Sequence, residues 1–239
     1  MSFQPQQSDI QLLRQRDKKI YTKVQLLNSH FKPINELQGE VIDGNITIDA
    51  QSDTRRTGSM TIYVKDNSYI VGKESNIWLD KYLKIFIGFK STRTQSIVWY
   101  NVGIYVFDSS QYTYDSITKS LTLSCSDLTS KLDGSHGGVV NAVNTTIPQG
   151  VVIRDSMIGT ITQLGGVTDY IVDEMGEYYD TVNHNEVPYD LEFPTGVTVY
   201  DIVRELRDLY PAWETFFDVD GTFICQMIPT CENDSIVLD

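Results

Sequence analysis

Short strand-like runs fill the first half of the sequence and constrain the fold more than any other feature. Between residues 20 and 125, β-branched and aromatic residues cluster in short runs separated by turn residues, without a long helical period. The runs lie at residues 21–27, 34–42, 46–49, 59–65, 82–89, 97–107, 112–114 and 121–125. Consecutive short strands joined by turns are typical of an antiparallel barrel or sandwich.

The connections between these runs carry their own signals. Asp43-Gly44-Asn45 reads as a hairpin turn, since Asp-Gly supplies the backbone angles that such turns need. Residues 66–80 are expected to form a helical or irregular connection. Ser8 is expected to cap a short helix, and Ser126 another over residues 126–132.

A helical period appears only after the glycine-rich stretch at residues 133–138. Apolar residues recur at Ile153, Met157, Ile158, Ile161 and Leu164, and Gly165-Gly166 end that helix. Strands are expected at residues 170–172 and 187–193. Thr198 caps a second amphipathic helix, which Pro211 stops, and a hairpin over residues 213–227 closes at Asp220-Gly221.

These patterns predict a β-rich fold, with an N-terminal antiparallel β-barrel or sandwich followed by a smaller α+β domain. The first domain spans residues 1–133 and begins with a polar N-terminal arm. The second spans residues 139–239, contains two amphipathic helices and leads towards a further barrel.

The charge balance argues against nucleic-acid binding. The 239 residues carry a formal net charge of -13, which phosphate backbones repel. Basic residues cluster near the N-terminus, but they alternate with Asp17 and apolar positions, so we interpret them as a solvated face. They are Arg14, Arg16, Lys18, Lys19 and Lys23.

The cysteines and the hydropathy indicate a protein made in a reducing cytoplasm. Cys125, Cys225 and Cys231 are odd in number and irregularly spaced, so a disulfide framework is not expected, although a Cys225–Cys231 pair stays open. We expect a soluble chain, since no secretion signal and no run of membrane-spanning length occurs.

Two sets of acidic residues could carry chemistry. Asp218-x-Asp220-Gly221 resembles the start of a calcium loop, but Pro229 stands where the bidentate Glu belongs, so a β-turn is favoured and no metal is assigned. A glycosidase-like carboxylate pair could come from the acidic run, which we interpret instead as exposed loop charge. The run comprises Asp169, Asp173, Glu174, Glu177 and Asp180.

The histidines and aromatic residues also admit functional readings. His30, His136 and His184 are scattered along the sequence, and no nucleophile–base pair can be assigned. No nucleotide-binding motif occurs either. We therefore predict no catalytic residues and no cofactor. The aromatic runs could form a carbohydrate platform, with Trp78 or Trp99 exposed. Core packing explains most of them, and a subunit interface is the more natural functional use.

Two stretches resemble the tail hub proteins of long-tailed phages and phage-derived contractile particles. Residues 39–64, GEVIDGNITIDAQSDTRRTGSMTIYV, look like the opening barrel of these hubs, with a strand, an arginine-containing loop and a Gly-Ser step. The helix after Thr198, Trp213-Glu214 and the hairpin FDVDGTF at residues 217–223 look like their second segment.

The resemblance implies a homotrimer that adapts symmetry between the tail tube and the spike or tail tip. In such hubs two barrels per chain alternate around a ring, which presents pseudo-sixfold symmetry to the hexameric tail rings. This chain departs from the pattern by ending at Asp239, where residues 235–238 would start a further strand. The second barrel is therefore expected to be missing or truncated, and either to belong to a longer natural chain or to be supplied otherwise. The expected partners are further copies of the chain, the tail tube, distal tail proteins, and the spike or tape-measure protein.

The sequence thus predicts a structural, non-enzymatic component of a virion tail or baseplate, assembled in the host cytoplasm without membrane insertion. Two alternatives stay open, namely a tail-associated cell-wall hydrolase and a glycan-binding receptor module. An acidic lumen that keeps DNA from sticking during ejection is a further hypothesis, based on the charge of -13.

Overall fold

The computed structural model describes residues 7–16, 18–38, 41–63, 81–91, 94–141 and 144–229. The chain divides into two compact units. The sheet unit comprises Met1–Asp49 and Arg56–Asp127, and the mixed unit comprises Ala50–Arg55 and Leu128–Asp239. Independent folding of residues 1–133 and 139–239 stays a prediction. The expected connection at residues 66–80 lies outside the described residues.

The sheet unit is a seven-stranded antiparallel sheet preceded by helix α1 (Gln7–Leu13). Its strands are β1 (Ile20–Leu27), β2 (Pro33–Gln38), β3 (Val41–Ile48), β4 (Arg56–Tyr63), β5 (Tyr82–Lys90), β6 (Ile97–Asp115) and β7 (Ser120–Asp127). They are ordered β2-β1-β5-β6-β7-β4-β3. The β-rich prediction is therefore confirmed, and among the described strands the hydrogen-bonded ladder is open, with β2 and β3 at its two ends.

The sheet curls around one apolar core. Val24 of β1 and Ile62 of β4 are fully buried in the same cluster, although three strands separate β1 from β4. In a flat sheet those strands would lie roughly 19 Å apart, since neighbouring strands are about 4.8 Å apart. Alternation along β7 contributes Leu121, Leu123 and Cys125 to this core.

Two local predictions in the sheet unit are wrong, and both errors come from ignoring the partner strand. Asp43-Gly44-Asn45 does not turn but lies inside β3, opposite residues 59–61 of β4. A Cβ on Gly44 would sit 2.9 Å from the carbonyl oxygen of Ser59, so the glycine permits close strand approach. The runs at 97–107 and 112–114 form one strand, β6, whose register with β7 shifts between Asp108 and Tyr112.

The mixed unit combines two α-helices with short sheets. A 3₁₀ turn (Leu128–Lys131) precedes β8 (Thr145–Ile147), α2 (Ile153–Gly159), one π-helical turn (Thr160–Leu164), β9 (Tyr170–Val172), β10 (Glu177–Tyr179), β11 (Val182–His184) and β12 (Leu191–Phe193). Helix α3 (Val199–Asp208), β13 (Trp213–Phe217) and β14 (Phe223–Met227) follow. The strand predicted over 187–193 is shorter than expected, and β14 pairs in parallel with β9.

Helix α3 begins as predicted, at the Thr198 cap. The Thr198 hydroxyl oxygen accepts a hydrogen bond from the Asp201 backbone N–H at 3.0 Å, and Asp201 accepts one from the Thr198 backbone N–H at 3.1 Å. This reciprocal pair satisfies donors that a helix start leaves unpaired. The apolar stripe of α3 is buried through Val199, Ile202, Val203 and Leu206.

Candidate interaction surface

Asp218 and Asp220 form a turn, as predicted. The Asp218 carboxylate accepts hydrogen bonds from the backbone N–H groups of Asp220 and Thr222, both at 2.9 Å. Gly221 has a φ of +90°, which a residue without a side chain tolerates. Within the described part of the chain, no group of three or more His, Cys, Asp or Glu side chains could hold a metal ion.

The acidic run is exposed loop and strand surface. Asp169, Asp173, Glu174 and Asp180 are exposed. Glu177 is half-buried and lies opposite His184 in the β10–β11 ladder. A glycosidase needs a carboxyl group that is enclosed in a cleft, whereas these four acids are exposed.

The three histidines have separate environments. His30 lies in the β1–β2 connection, where its Nδ1 is 3.3 Å from the Ser29 hydroxyl. His136 follows the 3₁₀ turn, and its Nδ1 is buried without a hydrogen-bond partner. The His184 ring packs edge-on against Tyr179, with 5.0 Å between ring centroids.

The aromatic run of β5 and β6 is covered by lysine. The Lys23 ammonium lies 4.6 Å from the ring centroid of Phe86 and 4.9 Å from that of Trp99. The Trp99 ring also packs over Gly88, where an added Cβ would be 2.6 Å from it. The Trp99 ring is thus occupied within its own unit. Trp78 lies outside the described residues.

The described cysteines are buried and unreactive in character. Cys125 and Cys225 are free thiols, and burial raises the pKa of each to about 12. Cys225 Sγ packs 3.4 Å from the Met175 sulfur. A thiol that stays protonated is a poor nucleophile. Cys231, the third cysteine, lies outside the described residues, so its pairing with Cys225 stays open.

Two stretches that carry the hub resemblance meet inside the mixed unit. Arg55, from the arginine-containing loop, donates a hydrogen bond at 2.6 Å to Glu214, which follows Trp213 and lies 159 positions away. The Arg55 guanidinium also stacks on Phe216, 4.3 Å from the ring centroid. Gln226 donates to the other Glu214 oxygen at 2.9 Å. The Glu214 carboxylate therefore has a structural partner on each oxygen.

The same loop binds helix α3 through Asp53. Tyr200 donates a hydrogen bond to the Asp53 carboxylate at 3.1 Å, and Arg204 and Arg207 each lie 3.7 Å from it. Burial and the nearby Asp53 charge raise the pKa of Tyr200 to about 12. These polar contacts hold the loop at 50–55 against α3.

An exposed aromatic surface of the mixed unit is formed by a hairpin that the sequence did not predict. Strands β10 and β11 are joined by Asp180 and Thr181, whose φ angles are +46° and +73°. Two consecutive positive φ angles make the tight turn that matches strand twist. The usual signal for such a turn is Asn-Gly or Asp-Gly, which Asp-Thr does not supply.

Large side chains project into solvent from the tyrosine hairpin, defined here as residues 173–184, which comprise β10, β11 and the acidic residues that lead into them. Tyr178 is 58% exposed, Tyr179 52% and Val182 57%. A hydrogen bond with Glu177 raises the pKa of Tyr179. Tyrosine is enriched in protein interfaces because its ring is apolar and its hydroxyl bonds to polar groups.

The tyrosine hairpin lies in a long span without cations, a signal that the sequence did contain. Between Arg154 and Arg204 there is no Lys or Arg. The span contains ten acids, namely Asp155, Asp169, Asp173, Glu174, Glu177, Asp180, Glu186, Asp190, Glu192 and Asp201. An exposed aromatic hairpin among unbalanced carboxylates is suited to contacting a basic surface.

The fold is similar to that of a solved tail protein and to that of chains in PdpA–VgrG complexes. A tail protein from Neisseria meningitidis MC58 matches 86% of this chain and 51% of its own, with a TM-score of 0.51 and 12% sequence identity. A chain of a half-lidded Francisella PdpA–VgrG complex matches 95% of this chain, with a TM-score of 0.53 and 12% identity. A lidless PdpA–VgrG complex gives a TM-score of 0.53 over 91% of this chain, again at 12% identity.

The likeness is one of fold. This chain spans 51% of the Neisseria tail protein and 34% and 36% of the two chains from PdpA–VgrG complexes. No protein-family model and no curated protein matches the sequence. In the described residues, no helix is both long and apolar enough to cross a membrane.

Proposed function

We propose that this chain is a structural subunit of a phage tail or a phage-derived contractile particle, where it acts as a tail or baseplate hub. The observation that carries the proposal is the fold, an antiparallel sheet followed by a small mixed unit, shared over 86% of the chain with a tail protein. The hub assignment adds the sequence resemblance of the arginine-containing loop and the Trp-Glu hairpin.

The use of polar residues supports a structural role. Asp218 holds a turn, Asp201 caps a helix, and Glu214 is bound by Arg55 and Gln226. The exposed groups of the mixed unit include Tyr178, Tyr179, Asp173, Glu174 and Asp180, which are suited to assembly. Among the described residues, no geometric observation favours the hydrolase or the receptor alternative.

In this role the chain would form a homotrimer and adapt symmetry between the tail tube and the spike or tail tip. Its expected neighbours are distal tail proteins and the spike or tape-measure protein, with assembly in the host cytoplasm before incorporation into the tail. Affinity would come from extensive subunit interfaces, because stable assemblies bury roughly 2,000 Å² or more per interface.

Removing the gene from the phage or strain that encodes the chain tests this function. Electron microscopy is expected to show particles without completed tails, and complementation with the wild-type gene should restore them. Normal tails in the deletion strain would contradict the proposal. The purified chain should release no fragments from peptidoglycan, whereas the hydrolase alternative requires turnover, and the receptor alternative requires glycan binding that Trp99→Ala abolishes.

A further inference from the structure

The two units have opposite charge. The sheet unit carries 14 Lys and Arg against 12 Asp and Glu, a net charge of +2. The mixed unit carries 5 Lys and Arg against 20 Asp and Glu, a net charge of -15. Together they give the -13 of the chain. One chain therefore carries both a positively and a negatively charged unit.

The positive charge of the sheet unit is concentrated near its N-terminus, in a set of residues here called the basic segment and defined as Leu13, Arg14, Arg16, Lys18, Lys19 and Ile20. Arg14, Arg16, Lys18 and Lys19 are exposed, and none has an ion pair with a described residue of the sheet unit. Exposed apolar side chains flank them at both ends, with Leu13 44% and Ile20 65% exposed. The segment thus joins cations to apolar surface.

The tyrosine hairpin provides the complementary surface. Asp173, Glu174 and Asp180 are exposed, and none has an ion pair with a described residue of the mixed unit. Tyrosine rings attract Lys and Arg through their electron-rich faces, and exposed Val182 matches the apolar ends of the basic segment. The tyrosine hairpin is therefore complementary to the basic segment in charge, in its aromatic rings and in its apolar side chains.

We infer that the tyrosine hairpin of one copy docks on the basic segment of a second copy. Such a contact joins two different surfaces, so each bound copy keeps one free hairpin or one free segment. Repeated contacts of this kind close into a ring or extend into a filament. The inference rests on the proposed function, because it names the surfaces through which the subunit ring would form.

Charge reversal tests the contact. One variant reverses the segment with Lys18→Glu and Lys19→Glu, and another reverses the hairpin with Glu174→Lys and Asp180→Lys. Each is expected to weaken self-association, measured by light scattering and sedimentation velocity, by about tenfold or more in Kd. A chain carrying all four substitutions should regain association, since both surfaces are reversed together. High salt should weaken the wild-type contact.

A matched control separates local contact from net charge. Lys32→Glu with Lys119→Glu reverses two exposed lysines elsewhere on the sheet unit and should leave association unchanged. Circular dichroism and thermal unfolding of every variant confirm that exposed substitutions leave the fold intact. Failure of the four-substitution chain to associate would overturn the inference.

Other outcomes also decide the matter. A wild-type chain that stays monomeric in solution and in the particle overturns the inference. If association and tail assembly both survive each reversal, the inference falls while the proposed function stands. If the hairpin variant associates normally but is lost from particles, the hairpin binds a different basic partner and the second-copy contact is wrong. Absence of the wild-type chain from particles would instead contradict the proposed function.

Discussion

At the scale of single residues, the Arg55–Glu214 ion pair is largely shielded from water. The two side chains are only 16% and 18% exposed. We expect Arg55→Met to reduce the free energy of unfolding of the mixed unit by about 2 kcal/mol, since it leaves a carboxylate with one partner lost. Urea unfolding followed by circular dichroism measures this change.

Glu214→Gln provides the control for that prediction. The double variant should be destabilised by less than the sum of the single variants, because the two side chains interact directly. Arg55→Lys should recover only part of the loss, since lysine keeps the charge but not the planar stack on Phe216. Additive effects of the two single substitutions would contradict the importance of the pair.

The Thr181 backbone gives a second prediction. A β-branched residue at a φ of +73° is strained. Thr181→Gly should therefore stabilise the tyrosine hairpin by about 1 kcal/mol, after the extra unfolded-state freedom of glycine is subtracted. Hydrogen exchange at the paired amides of β10 and β11 should slow about fivefold. Thr181→Ala should give no comparable protection, and faster exchange in the glycine variant would disprove the strain.

The buried thiols predict how stability responds to alkaline pH. The pKa of a thiol in an unfolded chain is about 8.5. Burial in the folded chain raises the pKa of Cys125 and Cys225 to about 12. Their contribution is thus fully present below about pH 8.5 and is lost as pH rises towards 12. In a Cys231→Ser chain, iodoacetamide should modify neither thiol at neutral pH until denaturant is added. Rapid modification of the folded chain would contradict their burial.

At the scale of elements, the capping box of α3 is the clearest link between sequence and stability. The Thr198 hydrogen bonds lower the pKa of Asp201, so the ionised carboxylate stabilises the fold above its ordinary pKa and this contribution is lost as pH falls. Asp201→Asn should cost about 1 kcal/mol at pH 7 and much less in acid. Unfolding measured at neutral and acidic pH checks this, and a cost that does not change with pH would refute it.

Elements with local causes could be predicted from the sequence. Helix α3 follows from Thr198, the apolar stripe and Pro211, all of which lie within one segment. The Asp218–Thr222 turn likewise depends on neighbouring residues alone. By contrast, the sequence around Gly44 predicts a turn, and only the pairing with β4 shows that it lies within a strand. The parallel pairing of β14 with β9 joins residues about fifty positions apart, which local patterns do not predict.

Only part of the candidate interaction surface could be predicted from the sequence. The span without Lys or Arg between Arg154 and Arg204 could have been found by counting charges. The hairpin within it could not, because Asp180-Thr181 lacks the glycine that usually marks a two-residue turn. Exposure of Tyr178 and Tyr179 depends on how the whole mixed unit folds, which periodicity does not specify.

At the scale of the whole molecule, the fold and the charge distribution both support the proposal that the chain is a building block of a tail. The fold is shared with a tail protein, and the predicted trimer and hub position extend that likeness. The charge difference between the sheet unit and the mixed unit offers a physical means for copies to recognise each other.

Copy number in purified particles tests this account most directly. Quantitative mass spectrometry of particles from the phage or strain that encodes the chain should detect the 27.1 kDa subunit at a fixed ratio to the tail tube protein. We expect one trimer of this chain per tail. Recovery of the chain only in the free protein fraction, with none in intact particles, would contradict it.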